Sequence, residues 1–380
     1  MIFFRTKGET DDHLTIWLPD KKLVIAGDNV YNSFPNLYTL RGSPNRDAVN
    51  WYKSVQSIKE LKPEYLLMCH SFPLLGREKI ENALTLYGDA IKFVHDQTVR
   101  NMNLGKNLDL IVEIVKLPQV YENVDMLKQI YGKVEWSVRG IYNGYVGWFD
   151  GKVESLTPIP EHLQAKYTKE LLSLPQTGGP IKQLIEQANF LLKRAVKMFA
   201  DKQKNFKYDL AWALHVCKIA RKLSDSRELK GIEVNITTAL LNSSTSNIVE
   251  YNLYYTHLQR LTNHINVTKE YLNPIKHLPL NQALEVLPLR FKAERCAENE
   301  RHNILIEITD EIIFSVYLIR NCIIEQQIFV YKPSDIESYN VIPMSSKQFR
   351  EVFSKSLNIN SLGLKQKEHE VLKYFIEILD

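Results

Sequence analysis

The sequence predicts three fold classes in succession: an α/β segment over residues 1–155, an all-helical segment over 156–272 and a small α+β segment over 273–380. Three observations carry this reading. Short apolar runs alternate with an amphipathic stretch in the first segment, a series of breakers after Gly151 leads into helical periodicity, and period-two alternation returns near residue 304 in three closely spaced runs.

In the first segment, residues 14–18 alternate weakly, 22–26 form a compact apolar run ending at Gly27, and 65–68 form another before Cys69 and His70. Each reads as a short strand that closes on polar residues. Between them Val49, Tyr52, Val55 and Ile58 keep a three-residue spacing that drifts around one helical face, and Pro63 stops it. Pro158, Pro160, Pro175 and Gly178-Gly179-Pro180 then break the chain around a short helix. Residues 181–200 and 208–223 beyond them are amphipathic helices, without a clean repeat of about 34 residues that would make them a tetratricopeptide-like stack. The third segment opens with a helical stretch over 280–293. Residues 304–308, 312–319 and 323–330 follow as consecutive antiparallel strands, and 345–357 and 365–379 as helices covering a one-faced sheet. The gap between that sheet and its helices is expected to be apolar, either a pocket for an alkyl tail or a packed core.

The composition excludes several function classes. At 380 residues and 44% apolar, the chain can bury a core in each of two or three domains, and a net charge of +4 is too small to imply a nucleic acid partner or an acidic membrane surface. Cys69, Cys217, Cys296 and Cys322 stand far apart with no CxxC pair. They suggest neither a disulfide framework nor a cysteine zinc site, so a reducing intracellular compartment such as the cytoplasm is expected. The longest apolar run, 312–319, is far short of the ~20 residues of a membrane span, so no transmembrane segment is expected. The N-terminus is apolar for four residues and then carries Asp11 and Asp12, unlike an export signal. The Asn-x-Ser/Thr triplets at Asn235, Asn242 and Asn266 are read as chance matches.

The densest polar group lies between Gly8 and Asp47. Asp28 follows an apolar run and Gly27, and His70 follows a second run in the same way, so each sits where a strand delivers a side chain into a loop. Taken alone each has a plainer reading, Gly-Asp-Asn as a turn and His70 as a hydrogen-bonded structural residue. Two acids, Glu9 and Asp28, converging with His70 would suit zinc, which takes carboxylate oxygen and imidazole nitrogen. Three ligands hold one metal and cannot build a pair. Arg41 is the candidate anion clamp, because a guanidinium offers a planar fork of donors; a solvated or carboxylate-paired arginine is the other reading.

The runs GDNVYNSFPNLYTLRG, RDAVNWYKS, ELKPEYLLMCHSFP, VHDQTVR and YGKVEWSVRGIYNGYVGWFDG, in this order, resemble the alkyl sulfatase family of the metallo-β-lactamase superfamily. The resemblance implies part of the metallo-β-lactamase αββα fold, followed by a helical dimerisation domain and a small domain like sterol carrier proteins. It implies two zinc ions per site in intact relatives, with the residue matching Glu9 on one, that matching Asp28 bridging both and that matching His70 on the second. Asn36 and Arg41 match the family's sulfate-binding loop. The shorter Asp28 stands where some members carry Glu. The activity implied is zinc-dependent hydrolysis of linear alkyl sulfate esters, and the partners implied are a second copy of the chain and an alkyl sulfate or lipid-like small molecule.

One departure is large: the family's His-x-His-x-Asp-His motif, source of four metal ligands, has no counterpart in these 380 residues. The chain therefore reads as an N-terminally incomplete relative, inactive as it stands, with an uncovered apolar face on the remaining sheet. A non-catalytic dimeric lipid-binding or scaffold protein is the alternative. The aromatics Trp136, Tyr142, Tyr145, Trp148 and Phe149 are expected to pack a helix against the sheet and the domain junction.

Overall fold

A computed structural model describes residues 1–40, 42–175, 178–203, 205–244, 247–265, 274–297 and 300–379. The chain divides into two compact units, Met1–Trp148 with Val267–Asp380, and Phe149–Asn266.

The first unit starts with five strands in the order β1 (Ile2–Arg5), β2 (Leu14–Leu18), β3 (Leu23–Gly27), β4 (Tyr65–Met68) and β5 (Leu74–Leu75). All neighbours are antiparallel except β3 and β4, which run parallel. A parallel pair needs a crossover, and it contains helix α1 (Ala48–Glu60). Asp47 caps α1 by accepting from the Val49 and Asn50 N–H groups at 2.9 and 3.0 Å. Trp51, Val55 and Ile58 of α1 are fully buried in one core with Val24, Ala26 and Leu66 of the sheet. The expected helix over this stretch and its stop before Pro63 are both present. On the other face of the sheet, the pairings Phe3↔Ile16, Ile16↔Ile25 and Ile25↔Leu67 align an apolar row. Phe3, Leu14, Tyr65 and Leu75 are exposed on these strands.

Helix α2 (Arg77–Asn103) packs on α1 and is buried on nearly every side from Tyr87 to Thr98, as expected of a helix at the centre of a unit. The short helices α3 (Leu108–Ile114) and α4 (Gln119–Glu122) and then α5 (Val134–Val146) complete this part.

The second unit holds α6 (Glu161–Leu172), α7 (Gly179–Ala200), α8 (Phe206–Leu223), α9 (Arg227–Ser243) and α10 (Ile248–Leu261). Their apolar stripes meet in a core of residues such as Leu191, Leu214 and Ile236. No helix among the described residues is long and apolar enough to cross a membrane.

The remainder of the first unit opens with α11 (Leu280–Glu285), after which Pro288 turns the expected longer helix into 3₁₀ turns over Leu287–Arg290 and Ala293–Arg295. Its sheet has the order β8 (Ile323–Phe329), β7 (Ile313–Arg320), β6 (His302–Ile308) and β9 (Asn340–Met344). The three expected strands are antiparallel, and β9, which sequence reading missed, pairs parallel to β6. Helices α12 (Ser346–Phe353) and α13 (Gln366–Glu377) carry Phe349, Phe353 and Phe375 into the core. Tyr317 and these rings pack in tilted and edge-to-face pairs at centroid distances of 5.0, 4.9 and 5.9 Å, so the space between sheet and helices is a packed core. The sheet is not one-faced: Leu305, Phe314 and Val316 are buried in a separate cluster.

Candidate functional site

Parallel pairing brings the carboxyl ends of β3 and β4 to one edge, where α/β folds place ligands. Gly27, at φ +56°, turns the chain out of β3 into Asp28; a Cβ there would stand 2.6 Å from His13 Nε2, so only glycine fits. His70, itself at φ +56°, places Nε2 3.4 Å from Asp28 Oδ1. That oxygen is buried and accepts no hydrogen bond. The Cys69 thiol beside it is pushed up by burial and by the Asp28 carboxylate.

Glu9 reaches the same place from the connection between β1 and β2. A Cβ on Gly8 would collide with the Asn29 amide, so glycine permits the close approach. Asn29 is fully buried, accepts from the Glu9 backbone N–H at 2.9 Å and donates to the Thr6 carbonyl at 2.7 Å. Trp51 Nε1 donates to the Asn29 carbonyl at 2.9 Å, and Ser54 Oγ to the Lys7 carbonyl at 2.6 Å, so α1 fixes both loops.

The Glu9 carboxylate accepts from Nη2 of Arg46, whose Nη1 donates to the Asn36 carbonyl at 2.6 Å. The guanidinium lies 5.8 Å from the Trp51 ring centroid, and the Arg46 side chain is 6% exposed. Sequence reading missed Arg46, because its partner is 37 residues away in the chain. Asn36 is buried and enters through its backbone, its N–H donating to Tyr31 Oη at 2.6 Å. Arg41 lies outside the described residues.

Glu9, Asp28, His70 and Arg46 line one cavity of about 550 Å³, with Asn32 and Tyr131 on its wall. Among the described residues, no three His, Cys, Asp or Glu side chains converge tightly enough to hold a metal ion. Asp28 and His70 are neighbours, and Glu9 is held by Arg46. The buried Asp28 oxygen without a donor, beside an imidazole nitrogen, fits a divalent cation; Glu9 fits one only if Arg46 lets it go.

His13 is a further polar group at this edge. Continuing the β2–β3 register beyond Ile16↔Ile25 sets His13 opposite Asp28. Its Nδ1 is 3.1 Å from Thr6 Oγ1, which leaves Nε2 against Gly27. Burial lowers its pKa, with the Glu9 and Asp28 charges opposing.

A smaller cavity of about 240 Å³ is lined by Arg46, Asp47, His95 and Tyr145. His95 Nδ1 is 2.8 Å from Asp96 Oδ1 and its Nε2 is 2.7 Å from Tyr145 Oη, while Lys92 Nζ donates to Asp96 Oδ2 at 2.6 Å. Burial alone would raise the Asp96 carboxyl, but Lys92 and His95 outweigh it and hold it below the usual range. The expectation that the aromatics of this region pack inward holds for buried Tyr142, whereas Tyr145 and Trp148 are exposed.

Two protein families match this chain: the metallo-beta-lactamase superfamily over residues 2–70 and the alkyl sulfatase dimerisation family over 107–264. The chain is 38% identical over 193 residues to the linear primary-alkylsulfatase of a Pseudomonas species, a match spanning 50% of this chain and 36% of that protein. It is 29% identical over 195 residues to the alkyl/aryl-sulfatase BDS1 of Saccharomyces cerevisiae, spanning 50% of this chain and 28% of that one. A solved structure of the stereoselective inverting sec-alkylsulfatase Pisa1 from Pseudomonas covers 100% of this chain and 58% of its own, at 20% identity and a TM-score of 0.42. The chain thus spans less than two thirds of each relative's length, and little more than a third of the first. The two family matches stand in the order that the sequence motifs imply, and over about half of its length the chain is similar to alkyl sulfatases.

Proposed function

We propose that the cavity at the carboxyl edge of β3 and β4 is a site for a sulfate ester, with linear alkyl sulfates as the substrate class and zinc as the metal. The reading rests on one observation, the buried Asp28 oxygen beside His70 Nε2 in a cavity that also holds the Arg46 guanidinium. Asp28 and His70 would hold the metal, and Glu9, the third ligand of the family pattern, would join them once Arg46 releases it. Arg46, once released from Glu9, offers its guanidinium donors to the anion, and Asn36 and Arg41 are the residues that match the family's sulfate-binding loop. A zinc ion there supplies Lewis acidity toward water and the sulfate group. The residues of this chain orient the ester head group and neutralise its charge. As a 380-residue polypeptide without a His-x-His-x-Asp-His run, the chain binds zinc weakly and does not turn over.

We also propose that α6 to α10 pair with a second copy. They expose Phe190 and Phe199 on α7, Leu223 on α8 and Val249 on α10, more large apolar groups than an isolated module leaves to water. Light scattering on the full chain is expected to give twice the 44.2 kDa monomer mass, and a monomer mass at micromolar concentration counts against the pairing. A second reading, a non-catalytic dimeric lipid-binding protein with a sterol-carrier-like C-terminal segment, draws on a cleft of about 420 Å³ lined in part by Val352, Leu357, Ile359 and Ile376.

Calorimetry with zinc on the full chain tests the site. Weak binding that Asp28→Asn or His70→Ala abolishes is expected, with no inorganic sulfate released from dodecyl sulfate. Binding indifferent to both substitutions removes the metal site, and zinc-dependent sulfate release by this polypeptide removes the claim that it is inactive.

A further inference from the structure

The four cysteines stand far apart in sequence, yet the fold of the first unit joins two of them. Cys322 Sγ lies 3.9 Å from the Cys296 carbonyl oxygen, and the two thiols are within hydrogen-bonding reach of each other. Both are thiols in this structure. Both line a cavity of about 550 Å³, separate from the one at Asp28, together with Phe93, Arg100 and Lys116. Cys322 is 3% exposed, whereas Cys296 is only partly covered.

The backbone at Cys322 is unusual. Asn321 and Cys322 form the two-residue loop between β7 and β8, with φ of +48° and +57°. A loop with positive φ at both positions prefers Asn followed by Gly. Asn321 satisfies this preference, and Cys322 occupies the glycine position at a steric cost. A side chain held in that conformation and aimed at a second thiol is a reason to look for chemistry.

We propose that Cys296 and Cys322 are a redox-active pair that closes to a disulfide when a low-molecular-weight disulfide, such as oxidised glutathione, is in excess. Cys296 is the entry point because it is the more accessible. It loses its proton to solvent and its thiolate attacks one sulfur of the oxidant; that S–S bond breaks and one thiol leaves as it takes up a proton. Cys322, deprotonated in turn, attacks the Cys296 sulfur and expels the second thiol. Two protein thiols and one small disulfide become one protein disulfide and two small thiols. The hydrogen bond to Cys322, together with burial, pushes the Cys296 thiol up, which keeps its thiolate fraction small and makes closure slow. The bond would join the segment before β6 to a turn already held against α2, where Asn321 Nδ2 donates to Asp89 Oδ2 at 2.9 Å and the Asn321 carbonyl accepts from Tyr121 Oη at 2.7 Å. The inference is independent of the sulfate-ester reading.

The full chain is incubated with excess oxidised glutathione, blocked, unfolded, digested and mapped by mass spectrometry. A peptide pair cross-linked between Cys296 and Cys322 is expected, with melting raised by roughly 5 °C and restored by dithiothreitol. Cys322→Gly gives the turn its preferred residue, so the reduced variant should melt no lower than the parent. It should lose the oxidative shift and collect glutathione on Cys296, and Cys296→Ser should lose the shift as well. Recovery of Cys296 and Cys322 as separate alkylated thiols, or of glutathione retained on Cys296 in the parent protein, overturns the proposal.

Discussion

Arg46 is the residue on which the geometry of the cavity turns. It holds Glu9 with one nitrogen and the Asn36 carbonyl with another, and its exposure of 6% makes it costly to leave either partner without it. Arg46→Ala should therefore lower stability by about 2 kcal/mol or more in urea titrations. Arg46→Lys should recover little, because a single ammonium cannot reproduce two donors set at a fixed angle. A change below about 0.5 kcal/mol for Arg46→Ala would show that the pair is a surface contact. At this scale the sequence was legible where an apolar run closes on a polar residue, which is how Asp28 and His70 were found. It was not legible where a role depends on a partner distant in the chain. Glu9 looks like a ligand in sequence, and only the fold sets Arg46 on it. His13 becomes visible only when the β2–β3 register sets it opposite Asp28.

At the scale of elements, helices with sustained periodicity were legible to within about two residues. The stretch 181–200 became Gly179–Ala200, and 208–223 became Phe206–Leu223. Strand β9 was missed because Pro343 interrupts its pattern and its pairing is with distant β6. What fixes the helices to each other is polar as well as apolar. Glu233 on α9 is 2% exposed and meets Arg221 Nη1 of α8 at 2.5 Å and His257 Nε2 of α10 at 3.0 Å. Burial alone would raise its carboxyl, but the hydrogen bonds from His257 and Arg221 outweigh burial and hold it below the model-peptide value of 4.5. With the folded pKa depressed, the unfolded chain binds more protons in acid. The contribution is complete above 4.5 and is lost as pH falls through the folded value. Melting of the helical unit should therefore drop below about pH 4.5 in the parent and less steeply in Glu233→Gln, which starts from a lower stability at neutral pH. Parallel melting profiles for the two proteins would exclude Glu233 as the acid-sensitive group.

At the scale of the molecule, the first unit is built from two segments separated in sequence by the helical one, and buried charge joins them. Asp89 on α2 is fully buried and accepts from Arg320 Nε at 3.1 Å, Arg320 Nη2 at 2.9 Å and Asn321 Nδ2 at 2.9 Å. Arg320 Nη1 lies 2.6 Å from Glu325. Gln97 Nε2 donates to the Phe291 carbonyl at 3.1 Å on the same helix, and one apolar core runs through both segments. Such a network is weak evidence for stability as a whole, but removing one member leaves the others charged and buried. Arg320→Met should cost about 3–5 kcal/mol, because Asp89 has no route to water, whereas replacing Asp89, Arg320 and Glu325 together by apolar groups of similar volume should cost far less. The readout can distinguish one cooperative unit from two. Tryptophans of this unit, Trp17, Trp51, Trp136 and Trp148, all lie in the N-terminal segment, and Trp51 is fully buried on α1. If the segments unfold together, a substitution on β7 must move the fluorescence midpoint of Trp51 by as much as it moves hydrogen exchange in β6 to β9. An Arg320→Met protein whose C-terminal sheet exchanges faster while its tryptophan transition stays in place would show that the two segments unfold separately, with the buried ion network as a local contact between them.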